Sequence, residues 1–194
     1  TAKDAKEFIR LARKAIEYYN LTGMRYSEEA PKQEYKEKRG VFVTLHGFPS
    51  GELRGCIGIP YPEMELWNAI IEAAIGASRD PRFKPLDNVE LERCIVEISV
   101  LTKPEKIEKK DVLKKIIIGK HGLIVRRGFN SGLLLPQVAT EYKWNSETFL
   151  EQTCVKAGLP REAWKLRDTE IYTFSAQVFK EEKPHGAVRE VKLT

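Results

Sequence analysis

Apolar residues recur along the chain at helical spacing in some segments and at strand spacing in others. Residues 4–20 place an apolar side chain every three or four positions, which predicts a helix with Asp4 and Glu7 as its capping pair. The same spacing predicts a helix that begins after Pro62 and another that Ser146 caps. Shorter helical segments are expected at 111–118 and 136–144.

Alternating apolar and polar positions predict strands elsewhere in the chain. Residues 41–46 and 52–57 alternate in this way and flank the turn-forming residues 47–51, which indicates a hairpin. Further strands are expected at 94–101, 123–125 and 171–179. The polar tail after Glu181 is expected to be loose.

The order of these elements favours an α+β fold. Helices and strands do not alternate regularly, and the hairpin implies antiparallel pairing, so we expect two layers of mainly antiparallel sheets with packed helices in two interleaved lobes. We treat residues 1–194 as a single domain. A smaller lobe, if there is one, is expected at 41–92, inserted between 1–40 and 93–194.

Composition narrows the functional classes. No apolar run approaches the roughly 20 residues of a membrane helix, and the charged N-terminal pattern is not that of a signal peptide, so a cytoplasmic protein is expected. The net charge is +5, but Lys and Arg are interleaved with Asp and Glu, which argues against a nucleic-acid partner. Abundant Lys and Glu with few Asn and Gln hint at a thermophilic source.

The three cysteines form no CxxC pair, so neither a metal site nor a cofactor is predicted. Cys94 shares a strand face with aliphatic residues and Cys154 lies on an apolar helical face, so both are interpreted as structural. Cys56 is different, because the alternation of the hairpin places it opposite the aliphatic face.

The turn at 47–51 predicts which residues of the hairpin face each other. His46 would oppose Glu52, Thr44 would oppose Arg54, and Phe42 would oppose Cys56. The aliphatic face would consist of Val41, Val43, Leu45, Leu53 and Ile57.

Cys56 is the candidate nucleophile. Arg54 would share its surface and favour the thiolate, and Gly55 and Gly58 would let a ligand or backbone approach closely. The alternative, which the pattern alone favours, is a small buried cysteine with Arg54 in a structural ion pair.

Three further residues are candidates around Cys56. Glu97 interrupts an apolar strand and needs a partner if it is buried, for which Arg54 is a candidate; a solvent-facing Glu97 is the alternative. His121, in a loop bounded by glycines, could act as a general base toward Cys56. His46 is an equal rival for that role.

Residues 53–58, which read Leu-Arg-Gly-Cys-Ile-Gly, resemble the signature of the AMMECR domain family. The resemblance continues in order through 40–45, 80–83, 96–101, 119–123, 134–137, 144, 149–150 and 156–159. It implies an α+β fold of two lobes and no known reaction. Microbial members resemble components of a gene set with a MEMO-like protein and a radical SAM enzyme, which implies partnership in a modification pathway.

Carried over by motif, the resemblance implies a site at two groups of residues. The first group is Arg54, Gly55, Cys56 and Gly58, and the second is Asp80, Arg82, His121 and Gln137. Three functions remain open, in order of preference: a binding or accessory protein, an enzyme with Cys56 as nucleophile, and a nucleic-acid-associated protein.

Overall fold

The computed structural model describes residues 2–191, which divide into two compact units. The first unit comprises residues 2–101 and 177–191, and the second comprises residues 102–176. The helices are α1 (Ala2–Thr22), α2 (Leu66–Ser78), α3 (Asn88–Leu91), α4 (Val112–Lys115), α5 (Pro136–Glu141) and α6 (Ser146–Lys156). The strands are β1 (Val41–Gly47), β2 (Leu53–Ile59), β3 (Cys94–Leu101), β4 (Glu105–Ile107), β5 (Gly122–Arg127), β6 (Asn130–Leu134), β7 (Glu170–Phe174), β8 (Ala176–Glu181) and β9 (Val188–Val191).

The sheet of the first unit has the strand order β2-β1-β3-β8-β9. Strand β1 pairs antiparallel with both β2 and β3, and β8 pairs antiparallel with β9. Val41, Val43 and Leu45 of β1 are fully buried in one core with Ile16 of α1 and Ile70 of α2. Because successive strand residues point to opposite faces, the residues between them lie on the other side of the sheet, called here the outer face.

The predicted lobe at 41–92 is wrong. Strand β1 pairs with β3 along its whole length, from Val41 opposite Val100 to Gly47 opposite Cys94. The segment 41–92 therefore shares its sheet and core with the strand that follows it. The segment that builds a core of its own is 102–176.

The second unit contains a sheet in the order β4-β7-β5-β6, in which neighbouring strands pair antiparallel. Its core joins Leu123 and Val125 of β5 and Ile171 of β7 with Phe149 and Leu150 of α6. The predicted α+β class with antiparallel sheets, packed helices and two interleaved lobes is confirmed.

Several predicted elements differ from the structure. The single strand expected at 171–179 is two strands in different sheets, and the break at Ser175 is held by Thr102 Oγ1, which accepts from the Ser175 N–H at 2.8 Å. The tail expected to be loose contains β9, which pairs with β8. The helix expected at 111–118 is a 3-10 turn at Lys109–Asp111 followed by the four-residue α4.

Two predicted helix caps also differ. Helix α1 already begins at Ala2, and Asp4 and Glu7 instead accept hydrogen bonds from the Tyr35 hydroxyl, at 2.5 and 2.9 Å. Helix α6 is capped by Asn145, whose side chain accepts from the Thr148 N–H. Within residues 2–191, no helix combines the length and the apolar character needed to cross a membrane.

Candidate functional site

The β1–β2 hairpin has a different register from the one predicted. Thr44 lies opposite Cys56, and Phe42 lies opposite Gly58, while His46 lies opposite Leu53. The pairing shifts by one residue between Leu45 and His46, as in a β-bulge.

The turn explains this shift. The Gly47 N–H donates to the Glu52 carbonyl oxygen at 2.9 Å, so Glu52 closes the turn instead of facing His46. Arg54 then has no partner in the register and is the extra residue of the bulge. Leu53 is predicted to lie in the core but is 40% exposed, because the bulge moves its side chain to the opposite face of the sheet.

A polar row crosses three neighbouring strands on the outer face. Cys56 of β2 lies beside Thr44 of β1, which lies beside Glu97 of β3. The Thr44 hydroxyl donates to Cys56 Sγ at 3.2 Å. The carboxylate of Glu97 lies 3.2 Å from Lys180 Nζ and 3.6 Å from His46 Nε2. These five residues are called the outer-face cluster.

Glu97 is the electrostatic centre of this cluster. Burial alone would raise its pKa, but the His46 ring and the Lys180 ammonium outweigh that effect, so the pKa of Glu97 is lowered. His46 has one ring nitrogen, Nδ1, 3.3 Å from the Gly51 carbonyl oxygen. Its other nitrogen, Nε2, is inaccessible to solvent and has no hydrogen-bond partner among the described residues, since 3.6 Å to Glu97 exceeds hydrogen-bond distance.

The backbone of Cys56 is fixed by Asp80 and Arg82. Strand β2 lies at the edge of its sheet, so a strand pairs with it on one side only. The Cys56 N–H donates to Asp80 Oδ2 at 2.9 Å, and Arg82 Nη2 donates to the Cys56 carbonyl oxygen at 3.4 Å. The Asp80–Arg82 pair thus takes the place of a neighbouring strand at this one residue.

Asp80 is itself held firmly. It is 2% exposed and accepts from the backbone N–H of Arg82 at 3.1 Å and from its guanidinium at 2.6 Å. The Arg82 guanidinium holds the pKa of Asp80 well below its usual range despite burial, and the backbone N–H groups of Cys56 and Arg82 lower this pKa further. The charged head of Arg82 remains in solvent, with its side chain 57% exposed.

Arg54 is held by contacts with three other residues, and its predicted effect on the Cys56 thiol stays a prediction. Its Nη2 donates to Glu90 Oε2 and to the Lys84 carbonyl oxygen, both at 2.8 Å, and its guanidinium stacks 5.7 Å from the centre of the Phe83 ring. The hydrogen bond to Glu90 raises the pKa of Arg54. Arg54 is therefore not the partner of Glu97 either.

The glycines of the 53–58 segment serve packing within the protein. A Cβ atom on Gly55 would overlap the carbonyl oxygen of Ala77, at the end of α2. A Cβ on Gly58 would overlap the ring of Phe42, which lies opposite Gly58 in the hairpin. At each glycine, the atoms that approach the backbone closely therefore belong to another part of this same chain.

The remaining predicted residues lie in the second unit. His121 Nδ1 lies 3.0 Å from the Lys115 carbonyl oxygen and near the Ile117 N–H, and burial lowers its pKa. Gln137 lies exposed in the first turn of α5. The roles of His121 as a base for Cys56 and of Gln137 in binding stay predictions.

The other two cysteines are buried, as predicted, and burial raises the pKa of both thiols. Cys56 is only half-buried. Among residues 2–191, no three His, Cys, Asp or Glu side chains converge in a way that could hold a metal ion.

Sequence reasoning missed three residues of this region. The alternation places Thr44 on the correct face but opposite Arg54, so the sequence does not predict its contact with the thiol. Lys180 reaches Glu97 because β8 lies beside β3, which no local pattern reveals. Glu90, the partner of Arg54, lies in the four-residue α3, too short for a periodic signal.

Comparison with known proteins places the chain in a family. The AMMECR1 family model matches residues 9–179. A Methanopyrus kandleri protein is 52% identical over 198 residues, which cover 100% of this chain and 96% of that protein. An Aquifex aeolicus protein is 44% identical over 194 residues, which cover 98% of this chain and 99% of that protein.

A solved structure resembles the whole chain. The crystal structure of an uncharacterised protein from Pyrococcus horikoshii has a TM-score of 0.82 and 47% identity, and the match covers 96% of this chain and 95% of that one. These source organisms are thermophiles, which agrees with the Lys- and Glu-rich composition. The family match and the relatives together show that this chain belongs to the AMMECR1 family.

Proposed function

We propose that this protein is a binding or accessory protein in a modification pathway and that the outer-face cluster holds its ligand or partner. The observation that carries the proposal is the buried Nε2 of His46, which has no hydrogen-bond partner in the described chain and lies beside the Glu97 carboxylate. Buried polar atoms in folded proteins are almost always hydrogen-bonded. Because Nε2 itself is closed to solvent, a bound molecule would reach this pair through the Glu97 carboxylate, whose side chain is 20% exposed.

The arrangement of charges supports recognition of a polar group. Glu97 keeps its negative charge because two basic side chains flank it, and all three are only 17–25% exposed. Hydrogen bonds to charged groups at such partly desolvated positions contribute about 1.5–3 kcal/mol each. A ligand group that donates to Glu97 or bonds to His46 would gain both affinity and orientation.

Cys56 would border the bound molecule as a fixed contact. Its backbone is held by Asp80 and Arg82, and its sulfur receives the Thr44 hydroxyl. Rigid positioning reduces the entropy lost on binding. Through the family resemblance, the partners we propose are the MEMO-like protein and the radical SAM enzyme of the same source organism.

Calorimetric titration of those two purified proteins into this one tests the proposal. We expect Glu97→Gln to weaken binding of at least one partner about tenfold or more, because the cluster loses its charge. Glu92→Gln is the matched control, since Glu92 also pairs with a histidine, His185, but is 60% exposed. Absence of binding by both partners, or equal losses in the two variants, would refute the proposal.

Thiol catalysis is a second candidate, favoured by the Thr44 hydroxyl at 3.2 Å from Cys56 Sγ. A hydrogen bond donated to sulfur stabilises the nucleophilic thiolate. It predicts that Cys56 reacts with iodoacetamide at pH 7 faster than free cysteine does and that Thr44→Val slows this reaction. A thiol that reacts no faster than free cysteine and is indifferent to Thr44→Val would end the enzyme hypothesis.

A further inference from the structure

The second unit contains a lysine amine in an unusual environment. Lys109 follows β4 in a 3-10 turn, and its Nζ atom is inaccessible to solvent without any hydrogen-bond partner among the described residues. Most lysines keep the ammonium in water and bury only the stem. An ammonium ion held away from both water and a partner is costly, so this environment favours the neutral amine.

Lys109 lines a cavity of about 540 Å³ at one end of the β4–β7 ladder. Strand β4 forms one wall with the turn that follows it, and residues 167–170, which lead into β7, form the other. Such a volume admits a small molecule. Lys109 carries its amine on a flexible four-carbon stem, and reaction with a molecule in the cavity requires rotation about the last bonds of that stem.

The carboxylates around this cavity are already paired with other cations. Glu170 pairs with Lys106, Asp168 pairs with Arg127 at 2.9 Å, and Glu108 pairs with Lys110 at 3.1 Å.

Two cationic side chains of the lining, Lys109 and Arg167, have no carboxylate within ion-pair distance in residues 2–191. Arg167 carries a permanent positive charge and is suited to binding a carboxylate or phosphate. Burial lowers the pKa of Lys109, and the more distant attraction of Asp168 opposes that effect only in part. The lining of one cavity therefore includes both an amine-bearing and a guanidinium-bearing side chain without a carboxylate partner in the described residues.

We propose that Lys109 is a reactive amine that forms an imine with a small carbonyl compound carrying an acidic group, which Arg167 binds. The Nζ lone pair attacks the carbonyl carbon and a carbon–nitrogen bond forms. The carbonyl oxygen then leaves as water, which takes up the two amine protons. Hydrolysis by a second water molecule restores the free amine and the carbonyl compound, so the cycle requires no oxidant or reductant.

Glyoxylate, a small aldehyde with a carboxylate, is the probe. The folded protein is treated at pH 7 with glyoxylate and cyanoborohydride, which reduces any imine to a stable amine, and labelled lysines are quantified by peptide mass spectrometry. We expect Lys109 to be labelled several-fold faster than Lys110, its neighbour, whose side chain is 75% exposed. Labelling of Lys109 no faster than of Lys110 would overturn the proposal.

Two variants separate the roles of the residues. Arg167→Gln should slow labelling of Lys109 by glyoxylate several-fold and leave its labelling by formaldehyde, which has no carboxylate, unchanged. Equal effects on both aldehydes would contradict the role given to Arg167. If inorganic phosphate stabilises the wild type against heat but not Lys109→Met, Lys109 is an anion-binding ammonium and the proposal of a reactive amine is wrong.

Discussion

Replacement of Gly55 by alanine tests whether the close packing of β2 against the end of α2 requires a glycine at this position. An added Cβ would lie 3.1 Å from the carbonyl carbon of Ala77 and overlap its oxygen. The overlapped atom belongs to the backbone of α2 and cannot rotate away. A methyl group inserted into a tightly packed site costs about 1–3 kcal/mol, and a backbone obstacle favours the upper end of this range.

The greater strand propensity of alanine offsets about 0.5–1 kcal/mol of that cost. We therefore expect Gly55→Ala to lower the free energy of unfolding of the first unit by about 2 kcal/mol, or the melting temperature by roughly 4–8 °C. Urea and thermal denaturation followed by circular dichroism measure these values. Gly47→Ala in the same hairpin is the control, since its added Cβ would lie 3.3 Å from the movable Ser50 Oγ.

A Gly55→Ala variant as stable as the Gly47→Ala variant would refute the reasoning. Gly55 would then be available for the approach of a ligand, as the sequence first indicated. A destabilised variant that, when folded, binds the proposed partners with the affinity of the wild type would agree with a packing role.

Two other residues should affect stability in the same denaturation assay. Asp80→Asn removes the charge that binds Arg82 and should cost about 1.5–2 kcal/mol at pH 7, since the Cys56 N–H and the solvent-exposed Arg82 guanidinium lose a buried charged acceptor. Because the pKa of Asp80 is depressed by folding, its contribution is present above about pH 4 and disappears as the pH falls further, so the variant should lose less stability than the wild type on acidification. Glu181→Gln should cost about 3 kcal/mol, because the buried Arg13 loses its carboxylate partner; a loss below about 1 kcal/mol would contradict this.

Local periodicity predicted much of the first unit. The alternation of apolar residues located β3 to the residue and placed Val41, Val43 and Leu45 in the core, as the structure shows. It also assigned Cys94 to a buried strand face and Cys56 to the face opposite the aliphatic residues, and in the structure Cys94 is buried while Cys56 is half-buried. These features depend only on side-chain direction along one strand, which the sequence encodes directly.

Features that depend on distant segments were not predictable in this way. One bulge residue, Arg54, changed which side chains meet across the hairpin. The contact of Lys180 with Glu97 requires that β8 lie beside β3 after the chain has passed through the whole second unit. The strand break at Ser175 has the same cause, because β7 and β8 on either side of it belong to different sheets.

Protection of Cys56 tests the central claim most directly, namely that the outer-face cluster is the binding surface. The folded protein is alkylated at pH 7 with and without a saturating amount of the MEMO-like or the radical SAM protein, and each cysteine is read by mass spectrometry. We predict that partner binding slows alkylation of Cys56 several-fold, while the buried Cys94 and Cys154 stay unreactive throughout. A partner that binds and leaves the alkylation rate of Cys56 unchanged would contradict the claim.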